Sequence, residues 1–120
     1  MRNFREYDIW QGSIKFAKEI HTLTSNFPSD EKFGLISQIR RASVSIASNI
    51  AEGSSRTSEK EFAHFLEIAI GSSFEVETQL FISKEIGYIK DSELTKSIKE
   101  LHIIQKQINA LRTKLRSSSV

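Results

Sequence analysis

The stretch DSELTKSIKELHIIQKQINALRTKLR, residues 91–116, decides the fold. Its leucines and isoleucines recur at steps of three and four residues, and they are Leu94, Ile98, Leu101, Ile104, Ile108, Leu111 and Leu115. Such spacing places apolar side chains along one face of an α-helix, as in the helices of a bundle. Asp91 is a suitable N-cap, because its carboxylate can accept a hydrogen bond from a first-turn amide. The stretch therefore predicts a long helix over residues 91–116 that packs against other helices.

Three further helices are predicted upstream, at about residues 8–25, 30–52 and 58–86. Apolar residues at helical spacing predict the buried stripe of the first helix, and they are Trp10, Ile14, Ala17, Ile20 and Leu23. Pro28, the only proline, separates the first helix from the second. Asp30 and Glu31 favour a helix start at this point, since acidic side chains complement the positive end of the helix dipole.

The third helix has the best marked ends. Ser58 followed by Glu61 fits a capping box, in which each side chain bonds to a free backbone amide, and Gly87 supplies a left-handed stop. Because only a few residues connect helices of this length, neighbouring helices are expected to run antiparallel. The sequence thus predicts an all-α, antiparallel up-down-up-down four-helix bundle, a single domain over residues 1–120, with residues 117–120 beyond the last helix.

Composition excludes several classes of protein. No stretch approaches the roughly 20 apolar residues that cross a bilayer, and the first residues lack the apolar run of a signal peptide. There is no cysteine, which excludes disulfides, thiolate nucleophiles and the commonest zinc sites. We therefore expect a cytoplasmic protein without a membrane partner.

No pattern of catalytic residues is found. The three histidines, His21, His64 and His102, fall on different predicted helices. Glu61 and His64 have the spacing of a di-iron motif, but no second copy is found, so we predict no metal. Glycines do not cluster into a phosphate-binding loop. The sequence predicts no catalytic residues and no cofactor, and hence no enzyme.

Basic residues are the candidates for binding. Beyond Leu94 the only acid is Glu100, against several cations. Candidate phosphate contacts for RNA or DNA are Arg40, Arg41, Arg56, Lys106, Arg112, Lys114 and Arg116. The alternative is structural, because cations at the end of a helix complement its dipole. Adjacent side chains on a helix diverge by about 100°, so at most one of Arg40 and Arg41 faces Glu75. We expect that arginine to form a charge-assisted hydrogen bond with the Glu75 carboxylate.

A family resemblance rests on two segments. Residues 38–53 read QIRRASVSIASNIAEG and residues 68–75 read IAIGSSFE. With the Tyr7-to-Trp10 region and the Phe27-Pro28 turn, they resemble the bacterial four-helix-bundle proteins encoded in intervening sequences of 23S ribosomal RNA genes. The resemblance extends from Phe4 to about Leu111. The matching residues outside the arginines are Asn49, Glu52, Gly53, Gly71 and Glu75, which are expected to determine fold and assembly.

The resemblance implies a ring-shaped homopentamer without enzymatic activity. It extends to the similar accessory proteins of diversity-generating retroelements, whose basic surfaces bind nucleic acid and a reverse transcriptase. Two functions follow as hypotheses: a homo-oligomer that makes weak, salt-sensitive contacts with RNA or DNA, or a structural module that recruits a protein partner. Gly71, which costs up to ~1 kcal/mol in a helix interior, is expected to mark close packing or a bend.

Overall fold

The computed structural model describes residues 2–118, and within that range the chain forms four α-helices and two short 3-10 turns. The helices are α1 (Asp8–Thr24), α2 (Leu35–Ser54), α3 (Glu59–Glu85) and α4 (Asp91–Ser118), and the turns are Phe4–Glu6 and Ser29–Glu31. Successive helices pack against each other in antiparallel order. The predicted all-α four-helix bundle is confirmed.

The ends of α3 show one of the two hydrogen bonds of the predicted capping box and the predicted glycine stop. The Ser58 hydroxyl accepts a hydrogen bond from the Glu61 backbone amide at 3.0 Å. At the other end, Gly87 has a φ of 86°, in the left-handed region that favours glycine. The amide of Tyr88 then donates to the Ser83 carbonyl at 2.8 Å, which closes the last turn. Sequence alone thus located this helix to within a residue at each end.

The start of α2 differs from the prediction. Residues 29–31 form a separate 3-10 turn, and the helix begins only at Leu35. The reason is Gly34, whose φ of −108° and ψ of −113° break the helical path. Glu31 still serves as a cap, because its side chain accepts a hydrogen bond from the Leu35 amide at 3.3 Å. At the other end of the chain, α4 continues to Ser118, and residues 119 and 120 lie outside the described range.

The core runs along the bundle axis. Side chains from every helix are fully buried in it, among them Phe16, Ile20, Ile46, Phe62, Leu66 and Leu101. The stripe predicted for α1 is wrong in part, because Ile14 is exposed and Ile9 and Phe16 are buried instead. The intervening Ser13 is tolerated inside because its hydroxyl donates to the Ile9 carbonyl at 2.6 Å. Within residues 2–118, no helix has the length and apolarity that crossing a bilayer requires.

The four helices are not packed equally. Helix α3 lies between α2 and α4 and has the most extensive contacts, whereas α1 touches α4 only sparsely. A cleft of about 370 Å³ therefore opens between α1 and α4. The α2–α3–α4 layer is therefore the most closely packed part of the molecule, and α1 is attached to it mainly through α2.

Candidate functional site

The two adjacent arginines of α2 have different surroundings. The Arg40 guanidinium donates to the Thr24 hydroxyl at 2.8 Å and to the His21 carbonyl at 3.1 Å, so it caps the end of α1. Arg41 is exposed and lines a cleft with Glu75. In the described part of the chain, neither arginine forms the expected ion pair with Glu75. Arg40 is thus a structural residue, while Arg41 is available to a partner.

Arg56 and Lys114 lie toward the same end of the bundle. The loop that carries Arg56 receives the Arg2 side chain, which donates to the carbonyls of Ser54 and Arg56. The Arg56 guanidinium pairs with Glu52 at 3.1 Å and lies 4.7 Å from the centre of the Phe65 ring. The end of α4 reaches the same place, because the Ser118 hydroxyl bonds to Glu59. We call this surface, made of Arg2, Arg56, Lys114 and Arg116, the basic end.

Two predicted cations of α4 converge on one acid of α3. Arg112 lies 3.5 Å from the Glu67 carboxylate, and Arg116 bonds to the same carboxylate. Arg112 also donates to the Asn109 side chain at 2.8 Å. These contacts fix α4 against α3, so part of the positive charge seen in the sequence is neutralised within the fold.

The remaining candidate, Lys106, lies on the outer surface of α4. It is exposed together with Lys96, Lys99 and Ile103, and the exposed fraction of Ile103 is 51%. Among residues 2–118, no acid forms an ion pair with Lys99 or Lys106. The candidate residues therefore divide among the start of α2, the basic end and the outer surface of α4.

The motif residues of α2 serve the contact with α3. The Asn49 amide donates to both the carbonyl and the hydroxyl of Ser45, at 2.8 and 2.9 Å, and that hydroxyl bonds to Ser72 at 2.9 Å. Gly53 is buried where the helices meet, and a Cβ there would lie 2.6 Å from Phe65 Cβ. This separation is far below any real contact, so only glycine fits. Glu52 is exposed and pairs with Arg56.

The outer surface of α3 is unusually apolar. Among residues 2–118, five of the nine large exposed apolar side chains lie on this helix or at its C-cap, and they are Ile68, Phe74, Phe81, Ile82 and Ile86. Gly71 lies among them, and a Cβ on it would meet no atom within 4 Å. We call this surface the α3 outer face. A helix with apolar residues on every side is normally covered on every side.

The sequence does not distinguish this face from the core: Phe74 continues the apolar spacing of the helix, yet its ring is 55% exposed. The sequence does contain an indication of this face, because α3 has more apolar residues than a single buried stripe accounts for. Gly71 was expected to mark close packing or a bend, and no atom of the described chain packs against it.

Two carboxylates, Glu19 and Glu100, face each other in the cleft between α1 and α4. Burial, a hydrogen bond to Glu19 and the charge of Glu19 raise the pKa of Glu100 from 4.5 to about 7. Lys15 and Lys96 oppose this rise from the two sides of the cleft. No group of three or more potential metal ligands is found among residues 2–118.

The chain is similar to known proteins in both sequence and fold. A family model described as 23S rRNA-intervening sequence protein matches residues 5–110. A solved structure from Bacteroides thetaiotaomicron VPI-5482, described as a protein with unknown function from the S23 ribosomal protein family, is similar with 24% sequence identity and a TM-score of 0.78. The likeness covers 87% of this chain and 97% of that chain. At this identity it shows a shared fold only. No curated protein matches the chain.

Proposed function

The chain belongs to the 23S rRNA-intervening sequence protein family, and from this premise we propose that it is a non-enzymatic module that assembles into a homo-oligomer. The single observation that carries the proposal is the α3 outer face. The resemblance of the sequence adds the number of subunits, a pentamer. The cytoplasmic location expected from the sequence remains part of the proposal.

The energetics favour covering this face. Its five large side chains are each 40–55% exposed. Complete burial of such a side chain contributes about 1.5–3 kcal/mol, so covering the exposed half of each gives about 1 kcal/mol, and about 5 kcal/mol for the set. Association also has a cost in lost translational and side-chain freedom. A further contribution from polar contacts is therefore needed for a tight assembly, as in other oligomers.

The test is the mass of the protein in solution. We expect light scattering to give an oligomer that Ile82→Lys dissociates without loss of helicity. Ile14→Lys is a matched control, because Ile14 of α1 has the same exposed fraction, 46%, and lies off the α3 outer face. A wild-type protein that stays monomeric at high micromolar concentration would overturn the proposal.

A second candidate function is weak binding of RNA or DNA at the basic end. The observation that favours it is that the fold brings cations from separate segments, including Arg56 and Lys114, to one end of the bundle. Arg41 offers a further unpaired guanidinium on α2. Contacts of this kind release counterions, so the affinity falls steeply with salt.

Titration of labelled RNA and DNA at two salt concentrations tests this candidate. Each lost phosphate contact reduces the slope of log affinity against log salt by about 0.9 on duplex DNA, so Arg56→Ala with Lys114→Ala reduces it by about 2. Lys32→Ala with Lys90→Ala removes the same charge at the opposite end of the bundle and is the control. If the wild type binds neither nucleic acid at low salt, a protein partner becomes the leading alternative.

A further inference from the structure

Within the described range of the chain, no contact or backbone angle explains why residue 71 is a glycine. Gly53 is required because a Cβ would collide with Phe65, and Gly87 because its φ is positive. Gly71 lies in the middle of α3 with helical geometry and open space where a Cβ would be. Alanine there would stabilise the helix. A glycine that weakens a helix and has open space at its Cβ position is explained when something outside the chain approaches it.

Gly71 belongs to a regular stripe on the α3 outer face. Exposed residues at steps of three and four form this stripe, and they are Ile68, Gly71, Glu75, Thr78, Ile82 and Glu85. Such spacing is that of a seam between two helices. Small residues in a seam allow the helix axes to approach closely. The stripe is about 26 Å long, which is enough for a contact of nearly five helical turns.

A complementary stripe lies on α4. It has the same steps of three and four, its residues are exposed as well, and they are Lys96, Lys99, Ile103, Lys106, Ala110 and Thr113. When the two stripes are aligned antiparallel with Gly71 opposite Ala110, Glu75 falls opposite Lys106 and Glu85 opposite Lys96. The small residues meet, and each acid meets a lysine. Within one chain these stripes cannot meet, since both face outward.

We propose that the α3 stripe of one copy packs antiparallel against the α4 stripe of a second copy, with Gly71 at the point of closest approach. The inference rests on the proposed self-assembly and names its two surfaces. Charge complementarity selects a second copy as the partner, because the same chain carries both the acids of the α3 stripe and the lysines of the α4 stripe that match them. The contact joins two different surfaces, so it can repeat from copy to copy, as a ring requires.

The register supports side-by-side copies. Inside the chain, α3 and α4 are antiparallel too, with Glu77 bonded to His102 at 3.2 Å and Glu67 paired with Arg112. The proposed contact between copies uses nearly the same alignment of residue numbers. Adjacent copies are therefore displaced by about two residues, roughly 3 Å, along the helix axes.

Charge reversal tests the pairing. We expect Glu75→Lys alone and Lys106→Glu alone to weaken assembly about tenfold or more, because each places like charges opposite each other. The two changes in one chain restore the pair with reversed sign, so the double variant should assemble like the wild type. Lys18→Glu, at an exposed position of α1, is the control for the introduction of a negative charge. Dissociation is measured by sedimentation, with circular dichroism to verify helicity.

Gly71→Leu gives an independent test. The monomer accommodates the side chain, since nothing lies within 4 Å of its Cβ position. We expect a helical protein that no longer assembles, because leucine fills the space that the second copy uses. Normal assembly by Gly71→Leu, or a double charge variant that is not restored, overturns the inference. If the wild type assembles and Ile82→Lys dissociates it, those results leave the proposed function intact; a monomeric wild type removes both.

Discussion

Gly53→Ala is expected to destabilise the fold, although alanine is the better helix former. The new Cβ would lie 2.6 Å from Phe65 Cβ and 3.0 Å from Phe62 Cδ1. Phe65 Cβ is fixed to the backbone of α3, so rotation of the side chain does not relieve the collision, and α2 and α3 must separate. Such overpacking costs about 1–3 kcal/mol, while the gain in helix propensity is at most ~1 kcal/mol.

The net expectation is a loss of about 1–2 kcal/mol, or a fall in Tm of roughly 5 °C. Gly12→Ala is the matched control in α1, where the nearest atom to the new Cβ is Ile104 Cγ1 at the ordinary distance of 3.8 Å. The control should gain up to ~1 kcal/mol. Urea unfolding at two protein concentrations separates fold stability from assembly. A Gly53→Ala protein as stable as the wild type would refute the close approach of α2 to α3.

Three more predictions concern caps and charge. Ser58→Ala should lose about 1 kcal/mol of unfolding free energy in urea, and Ser58→Asp should retain it; equal losses would contradict a capping role. Arg40→Ala should lose about 1–2 kcal/mol by breaking its bonds to Thr24 and His21. We expect no rescue by Arg40→Lys, because lysine has a single donor nitrogen in place of the two, Nε and Nη2, that arginine uses here. Because the pKa of Glu100 is raised from 4.5 to about 7, the folded state holds its proton more tightly, so stability falls as the pH rises through that range. Glu100→Gln should flatten this fall in Tm between pH 5 and pH 8, and an unchanged slope would exclude the pair with Glu19.

The sequence predicted those parts of the fold that depend on local chemistry. The seam of α4 and the cap at Ser58 are local patterns, so helix type and ends followed from them. The start of α2 was missed because Asp30 and Glu31 satisfy the rule for a helix start, while the backbone at Gly34 breaks the path. The stripe of α1 was misplaced because burial of Phe16 in preference to Ile14 depends on the facing helices.

The candidate site was less predictable because it depends on which side chains meet across helices. Nothing local indicates that Arg112 and Arg116 share Glu67, or that Arg40 caps α1. The basic residues were recognised, but their division into paired and unpaired groups required the structure. The α3 outer face was not predicted for a related reason: the sequence does not distinguish an apolar residue that faces the core from one that faces another chain.

Both described ends of the chain lie beside the loop between α2 and α3. Arg2 donates to the carbonyls of Ser54 and Arg56, and Ser118 bonds to Glu59. A short linker could therefore join residue 118 to residue 2, and the chain could be reopened in the loop at residues 86–90 on the far side. A circular permutant of this kind would exchange α1–α2–α3–α4 for α4–α1–α2–α3 in chain order. It would keep every helix contact, while any fused reporter would move to the opposite end of the molecule.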